Sequence, residues 1–262
     1  MNGRLIASWS VVAFCGIYFL APLIATFEFS LRLLRGHYSF EAYRLVFASG
    51  DFQSAFLFSA IIGVVTIIVG ALIVTPTAYW VQLRLPALRG IVEYITLLPL
   101  VVPAIVLVFG YIKLYGSNSI LPLTATPFGS DILLMLGYVA LGLPYLYRAI
   151  DAGMRSIDVK TLSEAAQIQG AGFPTILFRI IIPNIRSSIL SGAFLTFAIV
   201  IGEFTLASLL DRPAFGPYLQ LVGASRAYEP AALAVVAFLI TWGCMGIIQW
   251  LGNSGSNFSA KR

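Results

Sequence analysis

The sequence predicts an all-α integral membrane protein with six transmembrane helices, and three observations carry that reading. Of its 262 residues 59% are hydrophobic and only 10% are charged, with a mean hydropathy of +0.92. Soluble domains carry about 25% charged residues, so this chain lacks the polar surface to cover a globule in water. Apolar runs of roughly 18 residues or more, the length that crosses a bilayer, recur along it. These runs are continuous and do not alternate as barrel strands do. Backbone amides in hydrocarbon must bond within their own segment, which leaves helices.

Taken in order, the first crossing is predicted over 5–27, too long an apolar run for a cleaved leader and therefore read as a retained signal anchor. A polar loop follows, with Tyr38, Phe40, Tyr43 and Phe47 suited to the membrane interface; together they make an N-terminal region, 1–53, ahead of a core domain, 54–262. The second crossing is predicted over 54–81, where Gly63 and Gly70 share a face and permit close helix approach. The third, 91–111, contains Pro99 and Pro103. Each proline removes an intrahelical hydrogen bond and bends the helix, so this is either a kinked helix lining a pathway or a packing bend. The fourth is a short run, 132–147. The fifth, 187–210, contains Glu203, and the sixth covers 231–250. A short amphipathic helix is expected over 218–226.

The charge pattern sets the topology. Six crossings put both termini on one side, where ten lysines and arginines fall (Arg4, Arg84, Arg89, Arg148, Arg155, Lys160, Arg179, Arg186, Lys261, Arg262) against six on the other (Arg32, Arg35, Arg44, Lys113, Arg212, Arg226). Positive charge favours the cytoplasm, so both termini are expected there, in a multi-pass protein of the cell inner membrane. The net charge of +5 comes from scattered residues and does not suggest nucleic acid. Cys15 and Cys244 read as small packing residues inside crossings. His37, the one histidine, has no ligand-like neighbour at metal spacing, and no metal site or catalytic residue is expected.

Between the fourth and fifth crossings lies the longest polar-bearing segment, 148–186, with eight charged residues. Ser156 or Asp158 can cap a helix start. The run Leu-Ser-Glu-Ala-Ala-Gln-Ile-Gln is a good helix former, and Gly170 and Gly172 stop it. Pro174 opens a second helix and Pro183 breaks the backbone again. The product is a helix-turn-helix outside the lipid, with Ala165 and Ala166 leaving a shallow surface.

Here the sequence resembles a known family. Glu164, Ala165, Ala166, then Gly170, then Ile180, Ile182 and Pro183 fit the pattern EAA-x3-G-x9-I-x-[LI]-P, the signature loop of permease subunits of binding-protein-dependent ABC importers of the type I fold. The runs LPLVVPAIV and GLPYLYRAI are similar too. The resemblance implies that the loop at 148–186 carries a cytoplasmic coupling helix that docks on ATPase subunits. Its implied partners are two ATPase subunits, a second permease (a homologous, non-identical chain), an extracytoplasmic solute-binding protein and membrane lipid. ATP and Mg would be bound by the ATPase partners. This chain has no GxxxxGK[ST] and no soluble α/β segment, so it is expected to bind no cofactor and not to be an enzyme.

Glu203 bears on the solute. An ionisable residue within an apolar run is costly and faces a cavity or a partner. It either lines the translocation pathway with Thr205, Pro99 and Pro103 and passes an amine-bearing or cationic solute, or is a structural carboxylate that caps a helix or bridges to the second permease. Gly202-Glu203-Phe204 and the proline-rich third crossing look most like the polyamine, opine, aminophosphonate and ferric-ion branch. The competing class is an ion-gradient-driven secondary transporter, which favours paired intramembrane charges or inverted repeats; a non-transporting scaffold is the third.

Overall fold

A computed structural model describes residues 2–34 and 36–254. Arg35, Lys261 and Arg262, counted above for topology, lie outside the described residues, as do the side chains of Arg4 and Cys244. The described residues are helical with no strand. Contacts divide the chain into two units, Met1–Ser54 with Tyr218–Ile240, and Ala55–Pro217 with Thr241–Arg262.

In the first unit, helix α1 (Asn2–Ser30) is almost wholly exposed from Ser8 onward, its apolar side chains there open on all faces as expected of a segment that meets lipid. Helix α2 (Glu41–Ala48) packs through Ala42 and Val46. Tyr43 and Ser30 share a hydrogen bond of 2.7 Å, and Phe29 stacks on Tyr228 with ring centroids 4.9 Å apart. Glu28 accepts from both Arg32 and Tyr38 at 2.7 Å.

Helix α3 (Gly50–Leu83) is the second predicted crossing, longer than expected at both ends. The third crossing differs from expectation. It is two helices, α4 (Arg89–Val101) and α5 (Ala104–Tyr115), which meet at 96°. Pro103 is the cause: it offers no N–H, and its ring pushes the preceding residue out of the helical region, so Val102 is extended at φ −81°, ψ 115°. Pro99 sits inside α4 without ending it.

The fourth crossing is longer than the apolar run suggested. Helix α6 (Pro127–Arg155) begins at a Thr126 cap, whose side chain accepts the Gly129 amide at 3.1 Å, and runs through Pro144 to Arg155. The first residues of the polar segment, Arg148 to Arg155, are therefore its last two turns. Helix α7 (Val159–Ile168) follows. A second helical stretch is built from α8 (Phe173–Thr175), a π-helical turn (Ile176–Ile181) and α9 (Ile182–Asn184). It bends by 78° into α10 (Arg186–Gly202). The fifth predicted crossing then breaks after Gly202 and resumes as α11 (Thr205–Leu209). Helix α12 (Phe215–Ser225) is the short helix expected near 218–226, and α13 (Glu229–Ser254) covers the sixth crossing.

Among the described residues, three helices are long and apolar enough to cross a membrane: the Ser8–Ser30 part of α1, α3 and α6. Two more crossings are present if each bent pair counts as one, and α13 contributes a shorter apolar stretch, Glu229–Gly243.

Two apolar cores hold the second unit. One joins Tyr79 of α3, Ile150 and Met154 of α6, Val159 of α7 and Ile176 and Ile181 of the π turn. The other joins Val108 of α5, Leu133 and Tyr138 of α6, Val200 of α10 and Leu206 of α11. Within a bilayer such contacts stabilise the unit by close packing and not by removal of apolar surface from water. Helices α6 and α10 meet along a seam of small residues. Gly142 faces Thr196, Gly153 faces Ser188, and Gly192 lies so close to α6 that a Cβ there would come within 3.1 Å of the Leu146 Cα. Gly63 and Gly70 of α3 do permit close approach, to Phe197 and Leu146 respectively. At the other end of α6, Arg212 pairs with Asp131 at 2.6 Å and lies over the Phe58 ring.

Candidate functional site

The segment between α6 and α10 is built by local chemistry. Of the two candidate caps, Asp158 is the one used: its carboxylate accepts the Thr161 amide at 3.1 Å and the Thr161 hydroxyl at 2.7 Å. The hydroxyl first, and then the amide, hold the Asp158 carboxyl below the usual carboxylate range. Val159, Ser163 and Ala166 recur at helical spacing and are buried, while Lys160, Glu164, Ala165, Gln167 and Ile168 face outward. Ile168 is 87% exposed, an unusual position for an isoleucine.

The helix stops at a Schellman motif. Gly170, at φ +81°, donates to the Gln167 carbonyl at 2.9 Å, and Ala171 donates to the Ala166 carbonyl at 3.0 Å. Ala171 also packs on the core that contains Ala166. A Cβ on Gly170 would meet nothing within 4 Å. Glycine is needed here for its left-handed backbone, which costs other L-residues about 1–2 kcal/mol, and not for space. Ala166 is the one motif residue that departs from the reading of an open alanine surface. It is 7% exposed and faces the core, because the motif puts it where its side chain must meet Ala171. Ala165 is left as the small outward residue.

The stretch after Gly172 has its own logic. Gly172 is extended and Pro174 occupies the first turn. Pro183 has no N–H for the Arg179 carbonyl, and the backbone widens ahead of it: the Ile182 amide reaches back five residues to Leu177. Ile180 and Ile182 pack partly against the core, and Pro183 is exposed. Leu162, Ala165, Gln169, Gly170, Thr175 and Ile180 line an open groove of about 530 Å³ on the outer side.

Two ties bind this element to the long helices. The Tyr79 hydroxyl of α3 donates to Ser163 at 3.1 Å, both groups buried, a bond worth about 1 kcal/mol. The Phe173 ring lies 5.6 Å from Tyr79 and 5.5 Å from Trp80. Beside it, α4 and α6 are joined by four charges. Arg89 bonds Glu93 at 2.9 Å and Asp151 at 3.1 Å, and Arg155 bonds Glu93 at 3.3 Å and also Asp151. The Asp151 side chain is only 11% exposed, and it keeps one arginine if the other is removed. The sequence offered signals for this network that the reading by crossings passed over: Arg89–Glu93 and Asp151–Arg155 are both four residues apart, the spacing of helical ion pairs.

The second group of candidate residues lies at two breaks in the helices, one ahead of α11 and one at the α4–α5 corner. Glu203 lies at the break between α10 and α11, and its carboxylate accepts the Leu206 amide at 2.9 and 3.0 Å and the Ala207 amide at 3.3 Å. It caps α11. Thr205, partly buried, opens that helix, while Pro99 and Pro103 belong to the α4–α5 corner. The buried Tyr138 of α6 lies beside Glu203.

An all-helical membrane chain whose fourth and fifth predicted crossings bracket a capped, outward-facing helix defines a class of transport components. This chain belongs to the family described as binding-protein-dependent transport system inner membrane component, whose model matches residues 75–252. It is 25% identical over 158 residues to the methionine import system permease protein MetP of Bacillus subtilis (strain 168), covering 60% of this chain and 66% of that one. To the probable ABC transporter permease protein y4fN of Sinorhizobium fredii it is 24% identical, covering 91% and 43%. To the molybdenum transport system permease protein ModB of Azotobacter vinelandii it is 26% identical, covering 52% and 62%. The matches thus span between 43% and 66% of these relatives' lengths. Among solved structures, a bacterial ABC transporter that imports the acidic polysaccharide alginate has a chain of the same fold (TM-score 0.69, 17% identity, 94% of this chain and 96% of that chain). The same holds for an alginate ABC transporter in complex with its pentasaccharide-bound periplasmic protein (TM-score 0.71, 14% identity, 94% and 93%).

Proposed function

We propose that this chain is the membrane-spanning permease subunit of an ATP-driven ABC importer, forming half of a translocation pathway and coupled to ATPase subunits through α7. The observation that carries the reading is the Schellman-terminated helix 159–168, anchored on its inner face and open on its outer face, between α6 and α10. Closure of two ATPase subunits around ATP and Mg would press on Glu164, Ala165 and Gly170. Tyr79, Ser163 and the buried Ile176 and Ile181 would then pass the displacement to the long helices. A rigid element biased by two sites is what such coupling requires. The second permease, a homologous and non-identical chain, and the extracytoplasmic solute-binding protein complete the assembly. Both termini lie in the cytoplasm on the balance of positive charge.

The solute class is a finer proposal. An amine-bearing or cationic solute of the polyamine type rests on Glu203 and Thr205 facing the pathway, with Pro99 and Pro103 shaping it. The carboxylate is occupied by the amides of α11, so its charge acts on a solute only from behind that cap. Among the relatives reported above, the solutes named are methionine and molybdenum.

The test is Gly170→Ala in the assembled transporter. The added methyl strains the left-handed turn by about 1–2 kcal/mol. We expect normal membrane insertion, retained ATPase co-purification and uptake lowered several-fold relative to ATP hydrolysed. Solute uptake that follows an ion gradient, with no ATPase co-purifying, would overturn the reading in favour of a secondary transporter.

A further inference from the structure

The cavity between α4 and α6 is not used by the coupling argument. It has a volume of about 360 Å³, and Glu93, Thr96, Tyr147, Arg148, Asp151 and Arg155 are among its lining residues. Its carboxylates are spent. Asp151 is held by Arg89 and Arg155, and Glu93 by the same two arginines. Its donors are not all spent. Among the described residues no carboxylate lies within ion-pair distance of the exposed Arg148. Tyr147 is 3% exposed, yet its buried hydroxyl has no hydrogen-bond partner. Tyr147 lines the cavity together with Glu93, Asp151 and Arg148. Three arginines stand against two acids, so the site has one positive charge to spare.

We propose that this cavity binds the phosphate of an anionic phospholipid, with Arg148 and Tyr147 as the recognising residues. A guanidinium offers paired N–H donors that match phosphate oxygens, and the phenol supplies one more donor. The phosphate chemistry is shared with free phosphate in solution, but the surroundings favour a lipid. Tyr94, Leu98 and Val101 form an exposed apolar stripe on α4 at helical spacing, 67%, 36% and 79% exposed, beginning at the edge of the cavity where acyl chains would lie. Basic pockets between membrane helices near the cytoplasmic surface hold such headgroups. The leaflet that supplies the lipid rests on the orientation proposed above; the site itself does not.

The experiment is lipid titration of the purified transporter in detergent, followed by native mass spectrometry. Phosphatidylglycerol, diacylglycerol and inorganic phosphate serve as probes. We expect saturable binding of phosphatidylglycerol but not of diacylglycerol. Arg148→Gln should weaken it about tenfold, the loss of a charge-assisted bond, and Tyr147→Phe less. Arg186→Gln, an equal change of charge outside the cavity, should leave it intact. Equal binding by wild type and Arg148→Gln, equal loss in Arg186→Gln, or equal binding of diacylglycerol would overturn the site. Arg148-dependent binding of inorganic phosphate with no advantage for phosphatidylglycerol would keep the phosphate contact and overturn the lipid. ATP-driven uptake by the same variants reconstituted into liposomes separates this from the coupling reading, since a chain with no ATPase partner would fail there and still bind lipid.

Discussion

Glu203 shows how one residue can look costly and be inexpensive. In the sequence it is a charge amid apolar neighbours. In the fold it stands where the helix has already stopped, and it accepts the free amides of the next one. Its replacements separate the two roles. Glu203→Gln keeps an oxygen for the amides, so the thermal midpoint and uptake should stay near wild type. Glu203→Ala removes the cap and should cost about 0.5–2 kcal/mol, lowering the midpoint of the purified protein. If Glu203→Gln abolished uptake while the midpoint held, the charge itself would be what the pathway needs.

At the scale of elements, what could be read from sequence was what local chemistry decides. Asp158, Gly170 and Pro174 mark starts and stops through their own local chemistry where expected, whereas Gly172, expected to help end α7, is the extended residue ahead of α8. The EAA-x3-G spacing has a direct physical meaning: it sets the distance between the buried alanine and the left-handed glycine of one helix terminator. An inserted residue would turn the glycine about 100° around the axis and leave Ala166 without Ala171. What could not be read depends on distant partners. Nothing local says that Ala166 faces inward, that α6 continues through Arg155, or that Ser188, Gly192 and Thr196 make a seam; those facts need the opposing helix. Pro99 and Pro103 announced a bend, but not that one would be absorbed and the other would turn the chain through a right angle. The cap of α7 also has a pH signature. Because Asp158 is held below its ordinary range in the fold, its stabilising effect is full above the ordinary carboxylate pKa and disappears as pH falls through the depressed value. Asp158→Ala should therefore lower the thermal midpoint at neutral pH, and its curve should converge with wild type in acid. A pH-independent offset would mean that the carboxylate does not titrate with the cap.

For the molecule as a whole, the side of the membrane on which α7 lies decides whether coupling is physically available. Ile168→Cys, in a background lacking Cys15 and Cys244, should react with an impermeant maleimide in inverted vesicles and not in intact cells. Asn118→Cys, in the loop between α5 and α6, should show the reverse. Labelling of both from the same side would remove the arrangement.

The seam between α6 and α10 has a mechanical consequence. These two helices enter and leave the segment proposed to take the push, and they approach closely along Gly142, Ala149, Gly153 and Ser188, Gly192, Thr196. Long side chains at such a contact could slide and absorb displacement; glycines leave almost nothing to deform. The pair is splinted, so under the proposed coupling a shove at one tip would arrive at the far tip as travel and not as flexing.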